Sequence, residues 1–294
     1  RAVLDYQKFS EFSDQTAWNP SFYLELNKTT GRTTGALTVN AYRSSRADSA
    51  VNLRTQSWNY PIGLNIKYPI NDKFYLTSTT SYLKRSYTDT VQLLSYTDYT
   101  QALDLFYVFT SKLDLFSSYR IRVGETDLAT TTDHNFSLGV DGAILSKLRG
   151  TIRAGYQIRE IDATGENYGQ VSITASTAWN ATRKLTMIGT AARDFTTTAT
   201  GVSVDTFSTL LRTTYTFTRR FSLDASAGYG RNKFLSGTQL GRRDDFVTAD
   251  IGAIYVFNEH LRVSASFNYL KNWSTVSQSD FERTGYSVDI ATRF

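Results

Sequence analysis

The 294-residue chain reads as an all-β protein, a closed antiparallel transmembrane β-barrel forming one domain over residues 1–294. Three observations predict this. Apolar and polar residues alternate one by one along most of the chain, which is the period of a strand with two different faces. A short polar turn recurs about every 35 to 40 residues, the length of one membrane hairpin with a turn and a loop. No run of about 18 apolar residues exists to make a membrane helix.

The turns fix the elements in order. Six segments share an apolar or aromatic residue, a polar turn, a cation and then Phe or Leu: Ile70 to Phe74, Phe109 to Leu113, Ile144 to Leu148, Trp179 to Leu185, Phe217 to Phe221 and Phe257 to Leu261. The alternating runs around them give strands at 1–10, 18–27, 34–44, 57–69, 73–83, 98–109, 112–123, 134–144, 148–159, 168–179, 184–194, 204–217, 221–231, 244–257, 260–272 and 283–294. The count is 16, with 14 or 18 as alternatives, and the first three strands and the break within 84–98 carry the weakest pattern. An even count puts both termini on the side of the short turns, the periplasmic side in bacterial barrels. The longer gaps then face outward, and none is long enough to be a folded plug, although the longest could dip inward.

Strand 221–229 shows the pattern: Phe221, Leu223, Ala225, Ala227 and Tyr229 share one face, and Ser222, Asp224, Ser226 and Gly228 the other. Strand 260–270 repeats it, with Leu261, Val263, Ala265, Phe267 and Tyr269 against Arg262, Ser264, Ser266 and Asn268. Rings at both ends of an apolar stripe suit the two interfaces of a bilayer. By the same parity Leu211 faces lipid and Arg212 the lumen.

Composition agrees and removes other classes. Hydrophobic residues are 40% and aromatics 14%, with Tyr 19 and Phe 18, as expected where only one face is apolar. With no Cys there is no disulfide, thiol nucleophile or iron–sulfur ligand. The +5 formal charge is modest and no Lys/Arg cluster tracks phosphates, so nucleic acid is not an expected partner. Two distant His make no metal site, no cofactor is expected, and Arg1 with no apolar segment behind it reads as a chain whose signal peptide is gone.

The same parity assigns the lumen. Asp104, Asp114, Asp141 and Asp224 point inward, several Asp lying nearer the short turns, with Arg120, Arg122 and Arg159 toward the outer half and Arg153 and Arg212 also inward. An acidic zone beside a basic one would bias passage of polar or anionic solutes, although cross-strand Arg–Asp pairs commonly only hold a wall together. Tyr75, Phe106 and Phe116, with Tyr23 and Tyr42, are rings on this polar face, a path for sugar C–H patches or simple packing. Asp133-His134 and Asp244-Asp245 superficially match the acid and His residues of rim-active barrel proteases, but a lone His at a strand end is far more often structural, so no catalytic residue and no enzymatic activity are expected.

The tail, Gly285 to Phe294, alternates to its last residue: Tyr286, Val288, Ile290 and Phe294 against Ser287, Asp289 and Arg293. It resembles the C-terminal strand of bacterial outer-membrane barrels, whose terminal Phe the barrel assembly machinery reads, so Phe294 is the expected assembly signal. Thr292 departs from the apolar residue usual there. With the repeated turns, the chain resembles the putative beta-barrel porins of the second type. That resemblance implies an outer-membrane channel, and members that accompany exopolysaccharide systems imply export of polymer with a periplasmic export protein as partner. It carries no catalytic residue. A diffusion porin for small polar solutes and a structural barrel anchoring an envelope complex stand as the alternatives.

Overall fold

A computed structural model of the chain describes residues 1–7, 17–48, 53–88 and 93–292. Its sixteen strands are β1 (Ala2–Gln7), β2 (Ala17–Lys28), β3 (Thr34–Asp48), β4 (Leu53–Pro69), β5 (Phe74–Tyr87), β6 (Tyr96–Thr110), β7 (Leu113–Thr126), β8 (Thr130–Leu145), β9 (Leu148–Ile161), β10 (Glu166–Asn180), β11 (Leu185–Thr197), β12 (Ser203–Thr216), β13 (Phe221–Phe234), β14 (Arg243–Val256), β15 (Leu261–Ser274) and β16 (Phe281–Thr292). They form one sheet in chain order, every strand beside its sequence neighbours. The number and order match the sequence reading. Arg293 and Phe294 lie outside the described residues, as do residues 8–10 of the expected first strand.

At the short turns the expected and observed boundaries agree within one residue: β9 begins at Leu148 and β13 at Phe221. At the other end the strands run further than the alternation suggested. β4 begins at Leu53 instead of 57, β5 ends at Tyr87 instead of 83, and β8 begins at Thr130 instead of 134. The apolar stripe stops there while the backbone ladder continues, because polar side chains on both faces still permit pairing once the strands leave lipid.

The repeated turn has a local cause. Asn71 Oδ1 accepts the backbone N–H groups of Lys73 and Phe74, both at 2.9 Å. Thr218 does the same for Arg220 and Phe221 at 3.2 and 3.0 Å, and Asn258 for His260 and Leu261 at 2.9 and 2.8 Å. A short Asx or Thr side chain thus supplies the acceptors that a reversing backbone lacks. The cation has a second task. Lys147 Nζ donates to the Ala181 carbonyl at 2.9 Å and Lys184 Nζ to Phe217 at 3.0 Å, so the cation of one turn caps the carbonyls of the next. Arg32 does likewise toward Pro69 and Ile70, both at 3.3 Å.

Directly paired residues of neighbouring strands share a face, so register shows which residues lie together. Leu223, Ala253, Ala265 and Val288 form one continuous row across β13 to β16, and Ala225, Ile251, Phe267 and Tyr286 the next. The opposite face carries the rows Asp224, Gly252, Ser266, Ser287 and Ser226, Asp250, Asn268, Gly285. Leu211 pairs with Ala227 in the first set and Arg212 with Ser226 in the second. Phe246 covers Gly230 on the polar face so closely that a Cβ there would sit 2.1 Å from its ring, which only glycine avoids.

Two compact units are delimited along the chain, one of residues 1–138, 155–171 and 197–203, the other of 139–154, 172–196 and 204–294. Each is inside-out relative to a water-soluble domain. In the first, Thr131, Asp133, Asn135 and Ser137 of β8 are buried while the intervening Phe136 and Leu138 are 64% and 70% exposed. In the second, Tyr286 and Val288 are 81% and 71% exposed, and Asp244 is buried. A water-soluble protein would not present contiguous rows of this size to solvent.

Candidate functional site on the polar face

Alternation aims every second side chain of β6 to β9 at the polar face, and register brings their charges together at the end opposite the short turns. Arg159 clasps Asp133 with two parallel bonds, Nε to Oδ1 at 2.6 Å and Nη2 to Oδ2 at 2.8 Å. Arg122 donates to the same Oδ2 from Nε at 2.8 Å and also through Nη2. It lies 3.9 Å from Asp98, which in turn accepts the Tyr96 hydroxyl at 2.6 Å and that of Thr100 at 2.9 Å. Two arginines therefore face two aspartates in a nearly dry setting, Arg159 and Asp133 each being 1% exposed. Charges so desolvated are tolerated only when paired and fully hydrogen-bonded. Beside them Gln157 Oε1 accepts from Arg120 and Asn135, both at 3.4 Å.

The start of β12 touches this cluster, and the connection between β11 and β12 packs on Leu94. Ser203 Oγ accepts from Arg159 Nη1 at 3.4 Å, and the Ala199 carbonyl accepts the Leu94 N–H at 2.8 Å. Tyr87, Leu93 and Ala199 form a small buried apolar cluster. Gly201 turns the connection with φ of +76°, and a Cβ there would meet Leu94 at 2.8 Å. Residues more than a hundred positions apart thus close against one another, a contact that the alternation of the sequence does not indicate.

Nearer the short turns the polar face is aromatic and acidic. Tyr75, Phe106 and Phe116 stack across β5, β6 and β7 with centroids 4.5 and 4.9 Å apart. Lys67 Nζ sits 3.8 Å over the Tyr75 ring, and the Tyr75 hydroxyl donates to Asp114 at 2.6 Å. Asp104 accepts from Thr77 at 3.3 Å, Asp141 from Thr151, and Asp224 from Thr214 at 2.6 Å. Arg153 is half-buried on the face of Gln157 and Arg159, and Arg212 is exposed beside Ser226. Within each unit the expected candidates fall into separate groups. Arg122 and Arg159 are held by Asp133 instead of standing as charges along an open wall.

A cleft of about 540 Å³ over β1 to β3 is lined by Asn19, Tyr23, Asn40 and Tyr42 among others. The Oδ1 atoms of Asn19 and Asn40 are buried there without a hydrogen-bond partner. His134 Nδ1 lies 2.8 Å from the Tyr119 hydroxyl, and Asp244 is clasped by Arg242 at 2.9 and 2.6 Å, so both are structurally engaged. Among the described residues no group of three His, Cys, Asp or Glu side chains is placed to hold a metal.

A sheet with lipid-compatible rows on one side and a buried polar network on the other, turned by short capped turns, defines an outer-membrane β-barrel protein. The chain belongs to the family described as "Putative beta-barrel porin 2", whose model matches residues 131–294. Its fold is similar to that of the FrpB iron transporter from Neisseria meningitidis (F3-3 variant), with a TM-score of 0.62 at 11% identity over 95% of this chain and 58% of that one. It is also similar to the ferric citrate transporter FecA in the unliganded form, at 0.55 and 11% over 93% and 55%. The chain thus spans less than two thirds of these structures, and at such identities the likeness is one of fold. No curated protein matches it in sequence.

Proposed function

We propose that the sheet closes into a barrel whose polar face lines a hydrated conduit across the outer membrane, with carbohydrate, most specifically an exported exopolysaccharide, as the cargo. The termini and short turns face the periplasm, where the barrel assembly machinery and a periplasmic export protein would engage the chain, and the role is transport, not catalysis. The observation that carries the cargo assignment is the contiguous row of Tyr75, Phe106 and Phe116 on the polar face. Sugar rings offer C–H patches to such π faces while their hydroxyls stay bonded to neighbouring polar groups. Asn19 and Asn40 support the same chemistry, since a buried amide oxygen without a donor suits a hydroxyl.

A second reading, a diffusion porin for small polar solutes, is favoured by the β11–β12 connection docked against Leu94, which would narrow a path too far for a polymer. Single-channel recording in planar bilayers separates the two. Export predicts that soluble oligosaccharides interrupt the current and that Phe106→Leu shortens those interruptions, with less polysaccharide reaching the cell surface. Steady conductance indifferent to sugar, with normal surface polysaccharide, would leave the diffusion porin. Absence of conductance in correctly folded protein would leave a structural barrel anchoring an envelope complex.

A further inference from the structure

The apolar face changes character at the end away from the short turns. Along β13 its residues run Phe221, Leu223, Ala225, Ala227 and Tyr229, then Arg231 and Lys233. The eight steps from Phe221 to Tyr229 at a rise of about 3.4 Å cover about 27 Å, and strand tilt shortens this toward the apolar band of a barrel, about 25 Å tall. Arg231 and Lys233 therefore stand just past the outer ring of aromatics, on the lipid side, where headgroups begin. Register carries the feature sideways: Arg231 pairs with Phe207 and Asp245, and Lys233 with Asp205 and Arg243. Arg193 reaches Asp205 at 2.8 Å, and Asp245 is shared by Arg231 at 2.7 Å and Arg243 at 3.0 Å.

Arg193, Asp205, Arg231, Lys233 and Arg243 line a cleft of about 520 Å³ together with Ile173, Phe207 and Gly241. Its four cations share the cleft with one carboxylate, Asp205, and even with Asp245, which pairs with Arg231 and Arg243, a surplus of two positive charges remains. The guanidinium groups keep exposed edges, and Lys233 has no ion pair among the described residues. Ion pairing alone would need no surplus, and solvation alone would need no cleft. Apolar residues beside a surplus of cations, at the end of a lipid-facing stripe, are complementary to a lipid whose headgroup carries phosphates.

We propose that this cleft binds a phosphorylated glycolipid of the outer leaflet, with Lys233 and Arg243 on its phosphates and the Phe207 and Tyr229 region against its acyl chains. The assignment to the outer leaflet rests on the orientation proposed above, with the short turns in the periplasm. The full chain, folded into phosphatidylcholine nanodiscs, is titrated with a diphosphorylated glycolipid and bound lipid is counted by native mass spectrometry. Binding is expected, and the Lys233→Gln, Arg243→Gln double variant should bind about 30-fold more weakly, each cation near a charged surface being worth about fivefold.

Equal binding by the parent and the double variant would overturn the proposal, as would equal binding of the dephosphorylated glycolipid. Competition by millimolar inorganic phosphate as strong as by the lipid would reduce the cleft to a simple anion site and overturn it too. Leu240→Cys tests the leaflet: labelling of intact cells by an impermeant maleimide is expected, and protection of a folded barrel would place the cleft at the periplasmic side. Insertion without glycolipid retention defeats this inference alone, whereas failure to enter any bilayer defeats the membrane reading as well.

Discussion

Asp133 shows how much one buried carboxylate can hold. It receives donors from Arg122 of β7 and Arg159 of β9, so a single residue of β8 ties three strands together at the end away from the short turns. Asp133→Ala would leave two guanidinium groups without their shared acceptor, and losing one partner of such a buried pair costs about 3–5 kcal/mol. Urea unfolding in lipid vesicles should show that loss. The triple change Asp133→Leu, Arg122→Met and Arg159→Met should recover most of it, since an apolar cluster carries no desolvation cost. An Asp133→Ala protein as resistant as the parent would show that the network contributes nothing. The sequence marks Asp133 as one half of an Asp-His pair and Arg122 and Arg159 as inward-facing cations. Alternation reports which face a residue takes but not which residue lies across from it, so the partnership became visible only with the register.

At the scale of elements, the strands and short turns were legible because their causes are local. An Asn or Thr that caps two N–H groups, as Asn71, Thr182, Thr218 and Asn258 do, is a sequence feature in itself, and six turn segments with a cation followed by Phe or Leu set the strand order. What the sequence hid depends on distance along the chain. The extra residues at the outer strand ends pair without an apolar stripe, and the docking of Ala199 on Leu94 joins segments about a hundred residues apart. The apolar rows of β13 to β16 lead to a sharp expectation. Ala225 lies in a row with Ile251, Phe267 and Tyr286, whereas Ser226 lies with Asp250 and Asn268. Arginine on the lipid face costs about 2–4 kcal/mol at the bilayer midplane, so Ala225→Arg should cut the yield of heat-modifiable barrel sharply while Ser226→Arg leaves it near the parent. Equal tolerance of the two would show that these faces are not lipid and water.

For the whole molecule, the defining property is the exchange of inside and outside: contiguous apolar rows exposed, arginine, aspartate and amide side chains enclosed. Only a solvent of low polarity on one side of the sheet makes that distribution stable, since water against the apolar rows would favour their burial. The family assignment and the solved folds agree with it, and the cargo is the part that neither alternation nor register can specify. The most direct test of the lipid-and-water assignment uses the absence of native cysteine. Single cysteines at positions 222 to 229, spin-labelled and reconstituted into bilayers, should alternate strictly. Labels at 223, 225 and 227 should respond to oxygen dissolved in lipid, and those at 222, 224 and 226 to a water-soluble nickel chelate. A uniform response to the chelate at all positions, or the opposite phase, would contradict the account.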